Sequence, residues 1–118
     1  MIVGIVDRKG VPCIEVAIAS QTYRATIDTG FNGDLELPRF LRPFVNPRWI
    51  FEAESTLAAG MSVSEDVYAV EFSFDGRMVE TEATFADVDE VLIGTRLLRD
   101  YRLSIDFVAR TVRAERLR

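Results

Sequence analysis

Asp28-Thr29-Gly30 is the tripeptide in this 118-residue chain whose residue types and spacing best suit chemistry. An alternating run, Tyr23 to Ile27, delivers a carboxylate at its C-terminal end. A glycine two residues on lets backbone approach a ligand or another carboxylate closely. The turn Phe31-Asn32-Gly33-Asp34 follows, before Leu35-Glu36-Leu37 resumes a strand pattern. A carboxylate so placed can act as a general acid or base. It can equally cap its own turn, accepting hydrogen bonds from Gly30 or nearby amides. Other chemistries are excluded by composition. The chain has no histidine, which removes Ser-His-Asp and Cys-His catalysis and the imidazole ligands of most catalytic zinc sites. Its single cysteine, Cys13, lies between apolar neighbours and reads as a buried strand thiol that suits a reducing cytoplasm.

The elements that must position these residues repeat with period two. Ile14, Val16 and Ile18 alternate with Cys13, Glu15 and Ala17, and Tyr23, Ala25 and Ile27 alternate with Thr22, Arg24 and Thr26. Ala19-Ser20-Gln21 between them is short enough for a tight hairpin. Phe72 and Phe74 precede Asp75-Gly76, the strongest local hairpin signal, and Met78-Val79 resumes the pattern. Leu103, Ile105 and Phe107 form another alternating run, and a last strand is expected from Thr111 to Leu117. One short helix is expected after Gly94, capped by Thr95 and carrying Leu97-Leu98. A turn is also expected after Pro38, in a connection holding Pro38, Pro43 and Pro47. Many short strands with little helix imply a small closed or partly closed β-barrel, with residues 1–118 as a single domain.

A second segment makes the reading specific. Val91-Leu92-Ile93-Gly94 is an apolar strand ending in glycine, followed by Thr95-Arg96-Leu97-Leu98. Together with Ala25-Thr26-Ile27-Asp28-Thr29-Gly30, it resembles a retropepsin-type (clan AA) aspartic protease, a single-domain, homodimeric relative of pepsin. The likeness runs from about Val11 to Phe107. It is strongest toward the cellular prokaryotic branch, where Asp-Thr-Gly-Phe leads to a Leu-x-Leu-Pro strand, here Leu35-Glu36-Leu37-Pro38. The resemblance implies an all-β fold of the single-lobe acid-protease type with one short C-terminal helix. It implies an aspartic endopeptidase that needs no metal or other cofactor and works on a peptide or protein substrate.

Such an enzyme activates water between two carboxylates that share one proton, because like charges so close cannot both ionise. This chain has one Asp-Thr-Gly, and Asp106, mid-strand with no following glycine, is a poor second. Asp28 can therefore be catalytic only as half of a homodimer. The resemblance further implies that Thr29 hydrogen-bonds across the two-fold axis and that Gly30 lies beside both dyad and substrate. Asn32 takes a substrate-contacting position where the family has an acid, and Thr95 one where it has arginine, so that structural ion pair is expected to be absent. Phe31, in place of a small residue, is expected to reshape the site.

A closing flap is expected between strands Trp49-to-Leu57 and Asp66-to-Phe74. Its tip would run Leu57-Ala58-Ala59-Gly60-Met61-Ser62, with Ala59, Gly60 and Met61 meeting substrate. Trp49, Phe51, Phe72 and Phe74 read as core or interface aromatics. A net charge of −5, from 14 basic and 19 acidic residues, argues against nucleic acid. The arginines at 110, 113, 116 and 118 read as a guarded, solvated edge strand. No membrane span and no signal peptide are expected. Two rivals remain at this level: a catalytically silent retropepsin-fold module for dimerisation or peptide binding, and a monomeric structural barrel.

Overall fold

The computed structural model describes residues 1–56 and 58–118; Leu57, expected at the flap tip, lies outside them. Ten strands are found among the described residues: β1 (Ile2–Val6), β2 (Pro12–Ile18), β3 (Gln21–Ile27), β4 (Leu35–Pro38), β5 (Arg48–Thr56), β6 (Ser62–Phe74), β7 (Arg77–Ala86), β8 (Val91–Ile93), β9 (Tyr101–Asp106) and β10 (Thr111–Arg116). They pair in the order β5-β6-β7-β4-β8-β3-β2-β1-β10-β9. A further contact of Ala17 with Ser73 returns β2 to β6 and closes part of the sheet into a ring. No helix among the described residues is long and apolar enough to cross a membrane.

The period-two pattern becomes the inside and outside of this ring. Ile14, Val16, Ala25, Ile27, Leu35, Leu37, Val91 and Ile93 all point inward and are buried. Burying each of the larger aliphatic side chains contributes about 2 kcal/mol. Phe72 and Phe74 join this core, and Phe74 meets Tyr101 edge to face at 5.6 Å. Trp49 and Phe51 do not join it: both are exposed on β5, where Trp49 donates its indole N–H to Asp66 at 3.1 Å.

Both expected hairpins form. Ala19 and Ser20 connect β2 to β3 with φ of 51° and 66°, and Asp75 and Gly76 connect β6 to β7 with φ of 53° and 74°. Two consecutive left-handed residues make the tight turn whose twist matches the strands. β1 lies so close to β2 that a Cβ on Gly4 would stand 2.1 Å from the Cys13 carbonyl oxygen.

Two expectations need correction in detail. The segment after Gly94 is a run of turns rather than a helix. The Thr95 and Arg96 N–H groups are taken by the neighbouring loop, and the bonds that follow, Leu98 to Thr95 and Tyr101 to Leu98, are of the i→i+3 kind. Only seven residues separate β8 from β9, and the chain enters β9 directly after these turns. The one α-helix among the described residues is α1 (Arg42–Val45), in the proline-rich connection, with proline in its first turn and Asn46 ending it at φ 48°. The arginine-rich tail is no edge strand either. β10 lies between β1 and β9, with Val112 and Ala114 wholly buried, and β9 is the edge.

Candidate active site

β3 and β8 run parallel, with Ile27 opposite Ile93, and β4 joins the other side of β8 antiparallel. The chain leaves β3 at Asp28, whose N–H still donates to the Ile93 carbonyl at 2.9 Å. The loop then turns on itself, Phe31 N–H donating to the Asp28 carbonyl at 3.1 Å, and folds over the end of β8. There Gly94 N–H donates to the Asp34 carbonyl (3.1 Å), Thr95 N–H to that of Phe31 (2.9 Å) and Arg96 N–H to that of Gly33 (3.2 Å). A Cβ on Gly94 would stand 2.1 Å from the Gly33 oxygen and 2.7 Å from the Phe31 oxygen, so only glycine permits this crossing.

The clamp holds Asp28 at the rim of the sheet, half-buried, with Gly30 N–H donating to its Oδ1 at 2.9 Å. Thr29, Gly30 and Asn32 are exposed in the same loop. Among the described residues the Thr29 hydroxyl makes no hydrogen bond within the chain. The Phe31 ring packs against Gly33 and Gly94 within the loop, so its bulk is absorbed by two glycines.

The ion pair expected to be missing is present at neighbouring positions. Asp34 is buried, and its Oδ2 accepts from the Glu82 backbone N–H at 2.9 Å and from Arg96 at 3.2 Å. Arg96 also reaches the Glu82 carboxylate at 2.5 Å. Both partners were overlooked because Asn32 and Thr95 fill the matching positions in the motif.

The face of the sheet continuous with Asp28 differs from the core face. Thr26 lies opposite Leu92, Leu92 opposite Glu36, and Glu36 opposite Thr84. Paired residues project to the same side, and all four are half-buried. Burial raises the Glu36 carboxyl above its usual range, aided by the negative charges of Glu65 and Asp28. Nothing in the Leu-Glu-Leu alternation marked Glu36 beyond its facing outward.

The residues expected in a flap lie on a separate element. β5 and β6 pair from Arg48 opposite Ala69 to Thr56 opposite Ser62, whereas β7 joins β6 only from Tyr68 onward. The distal half of that hairpin therefore projects as a two-stranded arm. Its end is a single turn, Ala58–Gly60, with φ of 69° at Ala59 and 76° at Gly60. Ala59, Gly60 and Met61 are exposed there, and no hydrogen bond links them to the Asp28 loop among the described residues.

No protein-family profile matches this sequence, and no curated protein does. Solved structures match well. A retropepsin-like aspartic protease from Rickettsia conorii superposes with a TM-score of 0.68 at 16% identity, over 94% of this chain and 86% of its own. The simian foamy virus (mac) protease gives 0.60 at 23% identity, over 74% of this chain and 91% of its own. A foamy viral protease-reverse transcriptase in complex with an RNA/DNA hybrid gives 0.59 at 24% identity, over 80% of this chain but 13% of its own. The shared architecture is that of the retropepsin-like aspartic proteases.

Proposed function

We propose that this retropepsin-folded chain is an aspartic endopeptidase that works as a homodimer, its 118 residues acting as one domain in the cytoplasm. The observation that carries the reading is the setting of Asp28. Asp28 is half-buried at a strand end, its backbone N–H donating to the Ile93 carbonyl and its carboxylate accepting from the Gly30 N–H, beside a glycine crossing that tolerates no side chain. A turn cap alone needs no such crossing. Asp106, the other strand aspartate considered, caps the amides of Val108 and Ala109. The second carboxylate must then be Asp28 of another copy, and the free Thr29 hydroxyl beside it is available to bond across the axis.

In the dimer one Asp28 is ionised and the other protonated, because their charges repel. The ionised carboxylate takes a proton from a water molecule as its oxygen attacks the peptide carbonyl carbon. The protonated one gives its proton to the carbonyl oxygen. Collapse of the resulting gem-diol breaks the C–N bond, with a proton passing to the leaving amine. Both protonation forms are needed, so the rate depends on two macroscopic pKa values belonging to the pair and peaks at acidic pH. The substrate would lie extended between the projecting arm and the Asp28 face, adding as a strand, while the arm excludes water.

The decisive test is cleavage of unstructured peptides by purified protein, with dimerisation followed by size exclusion. Asp28→Asn is expected to abolish cleavage and leave the dimer intact. Cleavage equal to that of the unaltered protein would end the reading. Peptide binding without cleavage by the unaltered protein would point to a silent binding module.

A further inference from the structure

We infer that the cleft selects peptides carrying Lys or Arg beside the cleaved bond, and that Glu36 is the residue that selects them. This rests on the reading of the Asp28 face as the peptide-binding surface. Register places Glu36 there: it is directly opposite Leu92, which is directly opposite Thr26, two residues before Asp28. Its carboxylate is half-withdrawn from water, yet among the described residues no cation and no donor bonds to it.

The cations of the surrounding elements are engaged elsewhere. Arg96 is held by Asp34 and Glu82, Arg24 by Asp7 and Glu90, and Arg39 by Asp87. Arg42 lies over the Tyr68 ring, 4.6 Å from its centroid. Asp34, the other acid of this strand region, is by contrast fully partnered. Glu36 is therefore uncompensated in the free chain, and the charges that act on it, Glu65 and Asp28, are negative as well. A neutral donor would satisfy one oxygen; a cation also relieves the repulsion. Leu92 completes the recognition. It offers an apolar surface for the methylene stem of Lys or Arg, whose charged head then reaches Glu36.

The experiment maps cleavage sites in a mixture of unstructured peptides, then compares a matched pair differing only in lysine against norleucine. The unaltered protein should cut the lysine peptide about tenfold faster in kcat/KM, a margin that Glu36→Gln removes, and Glu36→Lys should turn the preference toward acidic residues. The same pair is measured by fluorescence anisotropy on Asp28→Asn with and without Glu36→Gln, circular dichroism confirming that each variant is folded. A lysine preference unchanged by Glu36→Gln overturns the inference while leaving the endopeptidase reading standing. Glu36-dependent binding without cleavage supports the inference and overturns the endopeptidase. If neither peptide is cut or bound, both fall.

Discussion

Replacing Gly94 by alanine puts the largest demand on the Asp28 clamp. A real Cβ essentially never approaches a heavy atom within 3.0 Å, and this one would start 2.1 Å from the Gly33 carbonyl oxygen. The 28–34 loop would have to retreat by about 0.9 Å. Three backbone hydrogen bonds, of 3.1, 2.9 and 3.2 Å, hold it against Gly94, Thr95 and Arg96. At about 0.5–1.5 kcal/mol each, their loss puts the cost near 2–4 kcal/mol. For a chain of this length that corresponds to a fall in Tm of roughly 8–16 °C, readable by circular dichroism, with urea unfolding giving the free energy directly. Cleavage per folded molecule should fall as well, since the same three bonds fix the end of β3 from which Asp28 projects. A loss below about 0.5 kcal/mol would refute the close crossing. A full loss of stability with undiminished cleavage would refute the positioning role.

Asp34→Ala should cost about 2–3 kcal/mol, because it leaves the Glu82 N–H without its acceptor and Arg96 with only the Glu82 carboxylate. Arg96→Ala should cost less, Arg96 being 41% exposed, and a double-mutant cycle should return a coupling near 1 kcal/mol. Ala19→Asn combined with Ser20→Gly should raise stability by about 1–2 kcal/mol in urea unfolding, since the present residues hold left-handed φ values that Asn and Gly adopt more cheaply. Unchanged stability would mean the turn is not strained. Asp75→Asn tests a pH dependence. Burial pushes the Asp75 carboxyl up, but the Tyr101 hydroxyl at 2.9 Å and the Met1 amino group outweigh it and hold the carboxyl below its usual 3.8. A depressed folded value adds stability above the unfolded value, lost as pH falls through the folded one. The gap between the two proteins should be full above about pH 5 and shrink as pH falls below 3.8; a gap independent of pH would contradict the assignment.

Much of this arrangement is written locally. The alternation of Ile14, Val16 and Ile18, the Asp75-Gly76 turn and the strand leading into Asp28 are patterns a few residues long, and each element forms where its pattern lies. What escaped local reading depends on distant partners. Asp34 and Arg96 stand 62 positions apart, and only the folded crossing at Gly94 reveals that they meet. Charges at Arg113 and Glu115 suggested a solvated edge, but they face one side only, and the opposite pairing with β1 joins the two ends of the chain. Leu97-Leu98 has helical character, but β9 begins at Tyr101, and the bonds before it close only i→i+3 turns. Glu36 was visible as outward-facing, but which surface lay outward was decided by β8 entering between β3 and β4.

The stitching of β10 between β1 and β9 has a kinetic consequence. β1 and β10 pair within the chain's own sheet, so a copy leaving a dimer of the proposed kind would keep these hydrogen bonds and need not refold to rejoin. Were two copies to build one catalytic centre, dilution would silence it reversibly. Turnover would then track the square of protomer concentration at the dilute limit, saturating once association is complete.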